Sequence, residues 1–257
     1  MSIYQHFREE EKEFVDAVLQ WVAYVENSYS PKLTDFLDPR QQYIIRSVIG
    51  NREDIQLSFF PDTNDMERKR ALLFPPYYQP TPGDFQIKLF DIQYPKKFVT
   101  IQHPQVLGSL MSLGVKREKT GDIILNKDQI QIIVAEELSD YFTMNLTHIG
   151  KTSIELIPTP FENRIISEEE WQSKVSTASS LRLDVVLGVI YNISRQKSQA
   201  FIKAGVVKVN WRTVENPSYQ LDEGDVLSAR GLGRSKLISI EGKTKKEKVR
   251  VEVGVLK

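Results

Sequence analysis

The chain has no cysteine. Disulfides and thiolate metal sites are therefore excluded, and a reducing cytosol is the expected compartment. No window approaches the roughly 18 apolar residues of a membrane span. The opening MSIYQHFREEEKEF is charged within its first ten residues and lacks the apolar centre of a secretion signal. Histidine is scarce: His6, His103 and His148 are scattered, and the sequence shows neither a metal cluster nor a catalytic triad around them. Nucleotide fingerprints are missing too. GLGRSK (231–236) lacks the spacing of a Walker loop and reads as a turn, and there is no dinucleotide-binding glycine pattern. No cofactor is expected.

Net charge is also absent, because 34 Lys and Arg offset 34 Asp and Glu. That balance hides an asymmetry. Residues 181–257 hold 15 basic and 8 acidic residues, a net +7, and residues 1–180 hold 19 basic and 26 acidic, a net −7. Such a split suggests a polyanion-binding module joined to a body with another task. The plainer alternative is a lysine-rich solubilising tail, and KTKKEK (243–248) fits it. With 257 residues, 40% apolar and 26% charged, the chain is long enough for one large domain or two to three small ones.

Residues 3–26 read as an amphipathic helix, with Phe7, Phe14, Val18, Trp21 and Val25 at helical spacing and glutamates early, where the helix dipole favours them. Asp38-Pro39 opens a second helix that Gly50 closes. IQLSFF (55–60) and ALLF (71–74) read as strands, with a short charged helix, NDMERKR, between them. The proline cluster PPYYQPTPG (75–83) punctuates the chain. A regular order follows: a strand at 85–94, a helix at 103–114, strands at 122–126 and 129–135 around an Asn126-Lys127-Asp128 turn, a helix at 136–150 and a strand at 151–158. This is the β-α-β-β-α-β pattern of ferredoxin-like domains, which include the common RNA-recognition module. The stacking form of that module needs aromatics on its two central strands, and QIQIIVA (129–135) has none.

Residues 161–180 are polar and read as a linker with one helical turn around Trp171. Beyond it, Ser180 caps a helix to about Tyr191, and Ser194 caps a second that Gly205 stops. Strands follow at 206–210, 226–230, 236–241 and 248–256. The expected class is α+β: an N-terminal mainly helical domain (1–75), a ferredoxin-like domain (76–160), a linker (161–180) and a small α+β RNA-binding domain (181–257).

The last part carries a positive surface on a small frame. Arg182 opens its first helix, and Arg195 and Lys197 open the second. Arg195, Gln199 and Lys203 fall four apart on one line. Lys208 and Arg212 flank the next strand, and Arg230 and Arg234 flank a pair of glycines. Helix N-termini add amide donors for phosphate oxygens, and arginine adds a planar fork. Few aromatics are interleaved (Tyr191, Trp211 and Tyr219), so shape recognition outweighs base stacking.

RLDVVL (182–187), ISR (193–195), IKAGVVKVN (202–210), Pro217, EGD (223–225) and ARG (229–231) resemble the RNA-binding domain first described in ribosomal protein S-four. The resemblance implies that Arg182, Ser194, Arg195, Lys197, Lys203 and Lys208 face RNA, that Asp184 and Gly205 are structural, and that Asn210 sits in the turn after the strand, counted with the RNA-binding residues. The whole architecture is similar to the YlmH family of Gram-positive bacteria, which genomic position links to cell division. It implies a cytoplasmic, monomeric, non-enzymatic protein that binds rRNA and tRNA on the large ribosomal subunit and serves quality control of stalled chains, with no membrane partner. Two rivals stay open: an RNA-modifying enzyme with its site in the middle domain, and a division-linked adaptor. Against the first, the only Arg-Leu-Asp (182–184) opens a helix inside the RNA-binding motif.

Overall fold

The computed structural model describes residues 3–63, 65–127, 129–166, 171–244 and 247–256. Asp128, Lys245, Lys246, part of the 161–180 linker reading and the side chain of His6 lie outside the described residues. The chain divides into two compact units, Met1–Glu168 and Glu169–Lys257.

In the first unit, α1 (Lys12–Ser28) starts later than its periodicity suggests. The preceding residues form two 3-10 turns, because Glu11 turns back to accept from the Arg8 amide (3.1 Å) and pairs with Arg40 (2.8 Å). Next come β1 (Lys32–Leu37), α2 (Pro39–Ile49), β2 (Gln56–Phe60) and β3 (Lys69–Phe74). Asp38 caps α2 by accepting from the Gln41 amide at 2.8 Å. The strands pair antiparallel in the order β1-β3-β2, and α1 and α2 pack on them through Val18, Val22, Ile44 and Ile45. The segment thus adds β1, which its sequence does not announce, to the expected helices and the two expected strands. Of NDMERKR, Asn64 lies outside the described residues, and Asp65–Arg70 form no helix, because tertiary bonds override their propensity. Arg68 is buried and donates to the carbonyls of Phe36 (2.9 Å) and Thr120 (3.2 Å), while Lys69 and Arg70 already belong to β3.

The same unit continues with β4 (Ile87–Gln93), α3 (His103–Ser112), β5 (Thr120–Asn126), β6 (Gln129–Ala135) and α4 (Ser139–Asn145). The helix expected to reach Gly150 ends at Asn145, and His148–Ile149 instead form β7, which pairs with β8 (Thr152–Ser153) at the start of the expected final strand; β9 (Glu155–Thr159) follows. The sheet order β5-β6-β4-β9, all antiparallel, is that of a ferredoxin-like domain. One face packs Phe90, Ile132 and Val134 against Val106 and Leu110 of α3 and Phe142 of α4.

The opposite face is filled as well. Leu89, Ile124, Ile133 and Ala135 pack against Phe36 of β1, Met66, Phe161 and Ile165. Gln131 clamps this cover: it donates to Asp91 (2.8 Å) and the Asn163 carbonyl (3.2 Å) and accepts from the Ile165 amide (2.7 Å). The approach is close enough that a Cβ on Gly121 would lie 2.9 Å from both Ile133 and Phe36. Polar bonds reinforce the contact. Arg70 donates to the carbonyls of Thr34 (2.8 Å) and Gln86 (3.0 Å), and Lys119 bridges Asp35 (2.6 Å) and Glu137 (3.0 Å). Asp122 accepts from the Glu67 and Arg68 amides, and burial, reinforced by the Glu67 carboxylate, pushes its carboxyl up to about 6.

The second unit consists of β10 (Trp171–Ala178), α5 (Leu183–Tyr191), α6 (Arg195–Lys203), β11 (Val207–Val209), β12 (Arg212–Thr213), β13 (Val226–Ala229), β14 (Gly233–Lys243) and β15 (Val249–Leu256). Its sheet runs β10-β15-β14-β13-β11-β12. Trp171–Ala178, read from sequence as linker, pairs along its whole length with β15. An edge strand with one solvated face needs few apolar residues, which is why WQSKVSTA looks like a linker. Lys174 ties it to the helices by donating to the Ile190 carbonyl at the end of α5 (2.7 Å).

Candidate nucleic-acid interface

The helix pair α5 and α6 covers one face of the second sheet. Leu183, Val186, Leu187, Ile190 and Ile202 pack on Val207, Leu227, Leu237, Val251 and Val253. At the start of the pair sits Asp184, wholly buried. Its carboxylate accepts from Arg182 twice (3.0 Å each), from Arg195 Nε (2.9 Å) and from Gln199 Nε2 (2.7 Å). Burial opposes the charge, but the three donors outweigh it and hold the carboxyl far below the usual carboxylate range. Arg182, Arg195 and Gln199 thus converge on one internal anion. Arg195 keeps 58% of its side-chain surface open, and Arg182 keeps 30%. Asp184 fixes where the guanidinium forks stand while their outer edges face solvent.

Ser194 caps α6 by accepting from the Lys197 amide (3.2 Å), and Gly205, at φ +66°, follows its end. The first turn of α6 holds Arg195 and Lys197 and no acidic residue. Cations at a helix N-terminus oppose the dipole by about 0.3–1 kcal/mol each. Asp184 offsets this for Arg195. Lys197 is exposed, with no ion-pair partner among the described residues, and so is Lys203 at the far end of the helix.

Other expected contacts take different positions. The first amides of α5 do not offer a phosphate site, because Leu183 N donates to the Tyr219 carbonyl (2.8 Å) and Asp184 N to the Pro217 carbonyl (3.1 Å). Ser180 does not cap that helix; Arg182 stands at its N-cap. Asn210 sits in the turn after β11, and its side chain is spent on the fold: in the left-handed region at φ 48°, its carboxamide donates to Asp225 (2.8 Å) and accepts from the Val226 amide (3.0 Å).

The cations also fall on two sides of the sheet. Val207 and Val209 point to the helices, so Lys208 between them points away, and Arg234 next to buried Ser235 does the same. GLGRSK is thus only partly a turn, since Arg234 lies within β14. Its guanidinium stands 5.9 Å from the ring centres of both Trp171 and Trp211. Trp171 was not legible as a site residue from sequence, because it fell in the linker reading. Arg212 lies exposed on the edge strand β12, and Arg230 is exposed just beyond β13.

The ferredoxin-like domain offers no open sheet face, since Phe36, Met66, Phe161 and Ile165 occupy the side on which RNA-recognition modules stack bases. Among the described residues no group of three or more His, Asp or Glu is placed to hold a metal ion, and no helix is long and apolar enough to cross a membrane.

Comparison with known proteins places these features in a family. Residues 80–163 match the family model described as "Putative RNA-binding domain in YlmH", and residues 181–227 match the "S4 domain". The chain is 46% identical over 250 residues to "Ribosome-associated protein quality control protein P2" of Bacillus subtilis (strain 168), covering 97% of each chain. A solved structure, "Cell division protein ylmH from Streptococcus pneumoniae", is similar with a TM-score of 0.55 and 33% identity over 64% of this chain and 99% of that one. Nearly end-to-end identity at this level shows that the chain belongs to the YlmH family, carrying an S4 domain in its C-terminal unit.

Proposed function

We propose that this protein is a non-enzymatic RNA-binding factor that docks on rRNA and tRNA of the large ribosomal subunit and serves quality control of stalled nascent chains. The observation that carries the reading is the α5–α6 face. It places Lys197 against its own helix dipole and holds Arg182 and Arg195 on a buried carboxylate with their outer edges open. A cation kept where its own helix disfavours it implies an external anion, and phosphate fits. The name of the Bacillus subtilis relative supports the ribosomal setting. The protein acts as a cytoplasmic monomer, with Lys197, Lys203, Arg182 and Arg195 as phosphate contacts and Lys208, Arg212, Arg230 and Arg234 as auxiliary cations. The rival enzyme site in the middle domain finds its sheet face filled with packed side chains.

The test combines sedimentation with salt titration. Wild-type protein is expected to travel with large subunits. Lys197→Ala with Lys203→Ala is expected to reduce the log–log salt slope of RNA binding by about 2, at about 0.9 per phosphate contact. An unchanged slope refutes the assigned face. The name of the Streptococcus pneumoniae relative supports one alternative, a division adaptor, and partners that survive nuclease without ribosomal proteins would favour it.

A further inference from the structure

One end of the ferredoxin-like domain carries a feature that the C-terminal reading does not use. The registers place three loops at that end. Gln93, at the end of β4, pairs with Glu155 at the start of β9, and the β7–β8 hairpin immediately precedes that strand. Asp91 pairs with Gln131, so the β5–β6 turn after Asn126 lies at the same end, as does the β4–α3 loop. These turns supply Lys96, Lys97, Lys127 and Lys151, all exposed and without an ion-pair partner among the described residues. Glu155, exposed at the start of β9, and Asp128, next to Lys127 in the sequence, are the carboxylates of these segments, and the four lysines outnumber them in a stretch, residues 1–180, whose net charge is −7.

At the tip of the β4–α3 loop stands Phe98, 88% exposed. The tip is held in shape: the Lys96 amide donates to the Tyr94 carbonyl (2.7 Å) and the Phe98 amide to the Pro95 carbonyl (3.0 Å). Tyr94 and Val99, on either side, pack into the domain core. The loop therefore presents one phenyl ring beside two lysines on an anchored base. Such a ring gains nothing from water, and it loses little entropy when a partner covers it.

We propose that this end of the domain is a second RNA-contact site, in which Phe98 stacks on an unpaired base and Lys96, Lys97, Lys127 and Lys151 hold the flanking phosphates. The inference rests on the reading that the chain binds RNA, and it moves the middle domain's contact from the covered sheet face to its loop end. RNA fits better than an anionic membrane, because stacking needs one ring whereas stable insertion needs a broad apolar face.

The probes are an RNA hairpin with one bulged adenosine, its fully paired control, and phosphatidylserine vesicles, all against the full chain. Phe98→Ala is expected to weaken the bulged hairpin about tenfold and the paired control less than twofold, with unchanged melting temperature. Lys96→Ala with Lys97→Ala is expected to lower the salt slope by about 2 for both RNAs. Phe98→Trp provides an emission signal that the bulged hairpin should quench. If wild type binds both RNAs and Phe98→Ala binds them equally well, the second site is overturned while the C-terminal reading stands. If wild type binds neither RNA, the RNA reading itself fails. An emission change in Phe98→Trp that responds to vesicles and not to RNA overturns the proposal in favour of a membrane contact.

Discussion

Replacing Asp184 by alanine tests whether the second unit is organised around one buried anion. The substitution removes the acceptor of four hydrogen bonds at 2.7–3.0 Å and leaves two guanidinium groups beside an emptied site. Charge-assisted bonds are worth about 1.5–3 kcal/mol each but are not additive here, because one carboxylate serves them all. Breaking a buried pair by removing one partner costs about 3–5 kcal/mol. Arg195 and Arg182 retain solvent, which places the expected loss near the lower end, about 3 kcal/mol. With a urea m-value of about 1–1.5 kcal/mol/M for a unit of this size, the midpoint should fall by about 2–3 M. Hydrogen-exchange mass spectrometry assigns the loss to a unit: protection should fall in α5, α6 and β11 and remain in α1–α4. Because the folded pKa is depressed, the contribution is fully present above the unfolded value of about 3.9 and is lost as pH falls below it. The variant should therefore show a flatter acid limb below about pH 4. RNA affinity should fall as well, although every cation is retained. A midpoint shift under about 0.5 M, or an unchanged acid limb, would refute the reasoning.

Asp122→Asn is a second pH test, of opposite sign. Its folded pKa of about 6 lies above the unfolded one, so the stability this group contributes is present at low pH and lost as pH rises through about 6. About 2–3 kcal/mol of the pH 4 to pH 7 dependence of the first unit should vanish in the variant; a retained slope assigns it elsewhere. Gly121→Ala forces a methyl to 2.9 Å from Phe36 and Ile133 and should cost about 1–3 kcal/mol by overpacking. A thermal melt unchanged within a degree would show that the two sheets separate freely.

Elements whose signal is local were legible in the sequence. The Ser194 cap, the Gly205 stop and the apolar stripe of α5 each belong to a few consecutive residues, and QIQIIVA is buried almost throughout. Elements defined by their neighbours were not. Strand β10 is polar because it lies at an edge, and β1, KLTDFL, does not alternate cleanly and bulges between Leu33 and Phe36. The candidate site shows the same division. Arg195, Gln199 and Lys203 read as one outward line, but two of the three turn to Asp184, a partner 11 and 15 residues away. That spacing carries no periodic signal. Lys208 and Arg234 were readable as cations but not as occupants of the opposite sheet face, which only strand register decides. Trp171 next to Arg234 depends on a strand that the composition hid.

The pairing of β10 with β15 joins the first strand of the second unit to its last. Trp171 lies opposite Leu256 and Ala178 opposite Val249. The unit is consequently a cassette whose chain enters and leaves along one seam. A short connector across that seam, with new ends opened in the β11–β12 hairpin, describes a circular permutant that keeps every core contact. A fragment begun at residue 181, by contrast, strips the seam and leaves β15 as a raw edge, open to pairing with another chain.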